Sequence, residues 1–202
     1  MLLWTLEAAR QSKYLTDFAV CSDDADILNL AEPHERFLES EVPDLRTRMV
    51  SLHKVIAGME QWKQSAYDYI VDIRATCPLK TTQDIDGAIQ LLISSGADSV
   101  IGVTQLWDHH PARAKWLDER GWIHDFYPEP ADGLRQNLTP RAYVRNGAIY
   151  AYRRDALMGE NGKLFGHEFS VGYEMPAERS VNIDTPLDWD LAELLMQRRG
   201  AK

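Results

Sequence analysis

The chain has 202 residues, enough for one α/β domain with an excursion, and its 45% hydrophobic content can supply a core. A net charge of −9 and a pI near 5.1 exclude non-specific binding to nucleic acid or to an acidic membrane face, while leaving room for a local basic pocket. No run approaches the ~20 apolar residues of a transmembrane helix, and the N-terminus has neither the basic region nor the long apolar stretch of a signal peptide.

In chain order, Met1 to Lys13 reads as an amphipathic helix with Leu2, Leu3, Leu6 and Ala9 on one side. No strand or cap precedes it, which leads us to expect a missing upstream segment. Asp17 to Ser22 is a short apolar strand, followed by a helix opened by acids, "DDADILNLAE". Asp44 to Lys63 has helical spacing through Leu45, Met49, Leu52, Ile56 and Met59. Tyr67 to Ile73 is a second strand. After it, Thr81 or Thr82 caps a helix carrying Ile85, Ala88, Ile89 and Leu92, with Gly96 as its stop. Ser99 to Val103 is a buried strand. The order β-α-α-β-α-β indicates a mostly parallel sheet covered by helices. Cys21 and Cys77, each in an apolar run, read as reduced, buried thiols of a cytoplasmic protein.

From Leu106 to Leu138 the pattern becomes polar, aromatic and irregular. "DHHP", Asp108 to Pro111, has adjacent histidines, which is poor spacing for one metal ion, so a pocket-lining turn is preferred. Gly147 to Arg153 is a strand with two faces: Ala148, Tyr150 and Tyr152 against Ile149 and Ala151. Asn146 and Tyr150 share a face by this count. An irregular stretch, Met158 to Pro176, leads to "RSVNIDTPLDWDLAE". There a strand is expected to end at Asp184, followed by Thr185 as N-cap, Pro186 at N1 and Asp188 at N3. The final helix is expected to bury Leu187, Leu191, Leu194 and Leu195.

Taken together, "SDDADI", "RATCPLKTTQDIDGAI", "HHP", "RQNLTPRAYVRNGAIYAYRRD", "KLFG" and "NIDTPLDWDLAE" resemble the acylneuraminate cytidylyltransferases. This is the CMP-sialic acid synthetase group, related to the CMP-KDO synthetases. The resemblance covers essentially the whole chain. It implies a three-layer, mostly parallel sheet of the nucleotide-diphospho-sugar transferase type in a single domain. Within that domain, residues 106–152 would form a dimerisation and sugar-pocket excursion of a homodimer. It also implies that an acidic sugar attacks the α-phosphate of CTP with magnesium present and pyrophosphate leaving.

The resemblance assigns Asp184 and Asn182 to the metal, the latter an amide where the family has an acid. Asn146, Tyr150 and Phe165 fall to the sugar, and Arg135 to the sugar carboxylate across a dimer. Arg74 and Cys77 stand where the family has Gln and Ser facing cytosine; a salt bridge from Arg74 to Asp72 or Asp86 is the alternative. Arg46 and Arg48 are stand-ins for a further base-contacting arginine. The family's glycine-rich triphosphate loop has no counterpart here, which leads us to expect impaired turnover. Two other readings stay open: a non-catalytic dimeric relative, and a sister enzyme for a KDO-like or legionaminic-type acid.

Overall fold

The fold is that of a computed structural model, which describes residues 1–31, 36–38, 48–160, 162–165 and 167–200. Helix α1 (Leu2–Arg10) buries Thr5, Leu6, Ala8 and Ala9. Leu3, expected on that side, is exposed, because the buried stripe at helical spacing runs through Leu2, Thr5, Leu6 and Ala9. Strand β1 (Val20–Ser22) pairs in parallel with β2 (Arg36–Leu38), making a small separate sheet. Alternation along β1 turns Val20 inward and leaves Cys21 exposed, so only one of the two free cysteines, Cys77, is buried. Between these strands, α2 (Ala25–Leu28) is a single turn capped by the Asp24 carboxylate, which accepts from the N–H groups of Asp26 and Ile27.

Helix α3 (Arg48–Lys63) buries Val55 and Ile56. The expected start at Asp44, with Leu45 and Arg46, lies outside the described residues, and of Arg48 only the backbone is described. Strand β3 (Tyr69–Ile73) leads to α4 (Thr82–Ser95), which follows its sequence signals closely. Thr81 and Asp84 form a reciprocal capping box, Ile85, Ala88, Ile89 and Leu92 are buried, and Gly96 ends the helix at φ +65°.

Strand β4 (Ser99–Leu106) is longer than expected. The irregular stretch after it contains a hairpin of β5 (Lys115–Leu117) and β6 (Ile123–Asp125). "KWLDERGWIHD" carries its signature, two β-prone runs around an Asp-to-Gly turn. Strand β7 runs from Ala142 to Arg153 and passes into α5 (Arg154–Met158). Strand β8 (Ser170–Glu174) lies inside the second stretch read as irregular. No strand forms at 180–184: Ile183 gives one backbone bond to the Thr76 carbonyl, too little for a ladder. Helix α6 (Pro186–Gly200) closes the chain. Its cap is as expected, with Asp188 Oδ2 accepting from the Thr185 N–H at 2.8 Å and the Thr185 hydroxyl oxygen accepting from the Asp188 N–H. Its burial departs from the expectation: Leu187, Leu191 and Leu194 are exposed, Leu195 is half-buried, and Ala192 is the residue turned inward.

The main sheet has the order β3-β7-β4-β8. Strands β3, β4 and β8 run one way, and β7 runs against them in the middle. Helices cover both faces. One face packs Val100, Ile149 and Ala151 against α4 and Ala8 of α1. The other packs Ile70, Tyr150 and Tyr152 against Ile56 of α3. The two faces of β7 are therefore Ile149/Ala151 and Tyr150/Tyr152, and the three layers of an α/β fold are present. Each fully buried Ile or Leu contributes about 1.5–3 kcal/mol to holding them together.

Candidate functional site at the carboxyl end of the sheet

The chain departs from regular geometry where β3 ends and β7 begins its central run. Ile101 of β4 faces Tyr150, and Val103, two residues on, faces Arg145. Four residues of β7 therefore oppose the single residue Gly102 of β4, a bulge of three extra residues. Gly147 sits in the bulge at φ +76°, and a Cβ there would meet the Asn182 amide oxygen at 3.4 Å and the Cys77 sulfur at 3.5 Å. The positive φ is what calls for glycine, since a Cβ would reach only ordinary van der Waals contact with these neighbours.

The bulge draws three segments together. The Arg74 N–H donates to the Ala148 carbonyl, and the Ile183 N–H to the Thr76 carbonyl at 2.9 Å. Lys80, 2% exposed, reaches under the turn after β3, donating to the carbonyls of Arg74 (2.6 Å) and Cys77 (2.7 Å) and to the Thr5 hydroxyl (3.0 Å). Burial lowers its pKa to about 8. A bidentate bridge from Arg179 to the buried Asp84, both contacts at 2.9 Å, pins the turn before Asn182 to the first turn of α4.

Two groups of side chains result. The first contains Cys77, Asn146, Asn182 and Asp184. Cys77 is fully buried, and its thiol donates to the Asn146 carbonyl and to Asn182 Oδ1. Burial raises its pKa to about 11. Its side chain therefore faces inward, toward Asn146 and Asn182. Asn146, 4% exposed, spends its amide on Met175 Sδ, the Ser180 hydroxyl and the Ala148 N–H. It does not share a side with Tyr150, because the bulge inserts three extra residues, an odd number, into the alternation. Asn182 accepts from the Thr76 hydroxyl at 2.8 Å and turns its NH₂ toward the Asp184 carboxylate. The expected two-oxygen metal pair is thus one carboxylate held by an amide donor. Asp184 is exposed. Among the described residues no cluster of three or more His, Cys, Asp or Glu could hold a metal.

The second group is a row of alternating charge and π-face. The Arg74 guanidinium lies 5.2 Å from the Tyr150 ring centroid, Tyr150 lies 5.2 Å from Phe165, and the Arg145 guanidinium lies 3.8 Å from Phe165. Arg74 Nε is buried with no hydrogen-bond partner. Asp86, one acid considered for it, instead accepts from Ser12 and the Lys13 N–H. Arg145 was passed over in the sequence. It lies within "AYVRNGAIY", but its side of the strand depends on the bulge. Arg135 is exposed on a 3₁₀ turn of the excursion and touches neither group. "HHP" is a turn: His110 is buried, its Nδ1 accepting from the Ala112 N–H and its Nε2 bonded to the Pro140 carbonyl.

No protein-family profile matches the chain. It is 21% identical to post-translational flagellin modification protein B of Campylobacter coli, over 99% of this chain and 85% of that protein. It is 25% identical to CMP-N,N'-diacetyllegionaminic acid synthase of Legionella pneumophila, over 98% and 85%. It is 27% identical to N-acylneuraminate cytidylyltransferase A of Danio rerio, over 98% of this chain but 45% of that one, so it spans less than half of the fish protein. Among solved structures, CMP:2-keto-3-deoxy-manno-octonic acid synthetase complexed with CTP superposes with a TM-score of 0.67 at 16% identity, covering 98% of this chain and 87% of that one. A 4-diphosphocytidyl-2C-methyl-D-erythritol synthase from Anaerococcus prevotii gives 0.63 at 17%, covering 97% and 85%. Along nearly its whole length, the chain is a relative of the N-acylneuraminate cytidylyltransferases and of CMP-N,N'-diacetyllegionaminic acid synthase, on a nucleotidyltransferase fold.

Proposed function

We propose that this protein transfers CMP from CTP to an acidic sugar of the sialic acid class, releasing pyrophosphate. The observation that carries the reading is the Arg74–Tyr150–Phe165–Arg145 row at the carboxyl end of the sheet, where α/β folds bind their ligands. A bond forms from a sugar oxygen to the α-phosphorus as the bond from that phosphorus to pyrophosphate breaks. Negative charge gathers at one phosphorus, and fixed cations are the groups that stabilise it. Arg74 holds one cation at the end of β3, stacked on Tyr150 and clear of internal bonds. The carbonyls gripped by Lys80 keep the backbone of that turn in place. Asp184 would supply one carboxylate to magnesium carried in on the triphosphate, a coordination magnesium commonly accepts. Magnesium bound there would neutralise phosphate charge. Asn182 aims the carboxylate and is no ligand itself.

The exposed hairpin surface, with Trp122 69%, Ile123 68% and Leu117 67% exposed, favours a homodimer formed through the excursion, which would carry Arg135 toward a partner's site. Cytoplasmic residence fits the two unpaired cysteines. Among the described residues no helix is long and apolar enough to cross a membrane. A sister activity on a legionaminic-type acid is favoured by the 85% coverage of the Legionella protein.

The purified protein is to be mixed with CTP, magnesium and either N-acetylneuraminate or N,N'-diacetyllegionaminate, with pyrophosphate release and calorimetric CTP binding followed together. CTP binding with release that depends on one of these sugars is the expected result. Neither binding nor release would overturn the proposal. Light scattering at micromolar concentration should give a dimer, and a monomer would remove the role of Arg135.

A further inference from the structure

Four arginines of this chain are neutralised by its own carboxylates: Arg113 by Asp108, Arg153 by Asp155, Arg154 by Glu60 and Arg179 by Asp84. Other arginines, among them Arg120, Arg135 and Arg141, have no ion pair among the described residues, but Arg74 and Arg145 are set apart by their aromatic contacts. Among the described residues neither meets a carboxylate, and both are stacked in one aromatic row.

The backbone puts Arg145 there. Tyr150 and Arg145 are five residues apart, so simple alternation would send them to opposite faces. The bulge changes this, because their partners Ile101 and Val103 are two residues apart and share a face of β4. Arg145 thus joins the side that holds Tyr150 and Phe165. At 3.8 Å from the Phe165 centroid, the guanidinium carbon is in stacking contact. Stacking fixes the plane of the group and leaves its N–H donors free around the edge. A planar fork held in this way suits a planar, two-oxygen anion.

We propose that Arg145 is the residue that selects the carboxylate of the sugar, acting from within its own subunit. This rests on the cytidylyltransferase reading above. It gives to Arg145 the role that resemblance alone would give to Arg135, which stands apart from the aromatic row on an exposed turn. Arg74, at the other end, is left for the nucleotide. Phe165 becomes a support that positions a cation as well as a wall of the pocket.

The test uses N-acetylneuraminate and its methyl ester, the same sugar without the negative charge, with binding followed by ligand-observed NMR so that turnover is not required. The wild-type protein should bind the acid about 10- to 100-fold more tightly than the ester, the range expected for one charge-assisted, two-point contact. Arg145→Gln should bind both equally, at the strength of the ester. Arg145→Lys should recover only part of the preference, and Phe165→Leu, which also alters the pocket wall, should weaken both ligands but the acid more than the ester. CTP binding, measured by calorimetry, should be unchanged in all three, showing that they are folded. Arg135→Gln should keep the full preference. A preference intact in Arg145→Gln, or lost in Arg135→Gln, overturns the assignment and leaves the cytidylyltransferase reading standing. A wild-type protein that binds neither the sugar nor CTP overturns that reading, and this assignment with it.

Discussion

Two groups of polar side chains lie side by side at the end of the sheet, and they differ in what their atoms do. In the group around Asn182, hydrogen bonds are spent inside the protein: Thr76 and Cys77 donate to its oxygen, and its NH₂ faces Asp184. In the row from Arg74 to Arg145, the guanidinium groups are positioned by aromatic faces and keep their donors unspent. The first group fastens three segments together. The second is ready for a ligand. Residue types at a sheet end therefore do not by themselves distinguish a tether from a binding group, whereas the count of satisfied donors and acceptors does.

The strongest way to break this comparison is to remove one cation from each side. Arg74→Ala should lower kcat/KM for CTP by about 10- to 100-fold and barely move the melting temperature, since no internal bond is lost. Lys80→Met should do the opposite. It strips three oxygens of their donor and should cost about 3 kcal/mol, seen as a fall of roughly 10 °C in calorimetric melting. If Arg74→Ala proves the more destabilising of the two, the division into tether and binding group is wrong.

A smaller effect tests the acidic end. Asn182→Asp replaces a donor facing Asp184 with a second carboxylate and should tighten magnesium binding about tenfold, with Asp184→Asn abolishing it. Equal affinities by calorimetry in these two and the wild type would remove Asp184 from the metal.

The smallest effect is in the pH dependence of stability. Burial lowers Lys80 from 10.5 to about 8, so above pH 8 the folded chain has released a proton that the unfolded chain still binds. Stability must rise with pH there. Burial raises Cys77 from 9.0 to about 11, so above pH 9 the folded chain holds a proton that the unfolded chain has lost, and stability falls. The two slopes offset each other from pH 9. A gain of about 1 kcal/mol confined to pH 8–9 is expected in urea titrations, absent in Lys80→Met. A wild-type curve that is flat or falling in that window contradicts a buried, displaced lysine.

Local chemistry in the sequence determined the parts whose partners lie nearby in the chain. The caps Thr81 and Thr185, the αL stop at Gly96, the buried stripe of α4 and the apolar strands can be read within a few residues, because capping and periodicity are short-range effects. The hairpin at Lys115–Asp125 has an equally local turn signal, yet it lies in the stretch expected to be irregular. The inward direction of α6 was not legible. Its leucines have helical spacing, but burial needs a neighbour, and the sequence cannot say whether one is present. The reach of β7 to Ala142 and the pairing of β8 depend on β4, far away in the chain. The site was legible as a set of segments: Arg74, Tyr150 and Phe165 form one row, and Asp184 lies against Asn182 in the other group. The orientation of each side chain was decided by tertiary structure. Asn146 and Cys77 turn inward because the bulge at Gly147 brings Asn182 and Ser180 against them, and Arg145 joins Tyr150 because three extra residues in the bulge reverse the alternation of a strand.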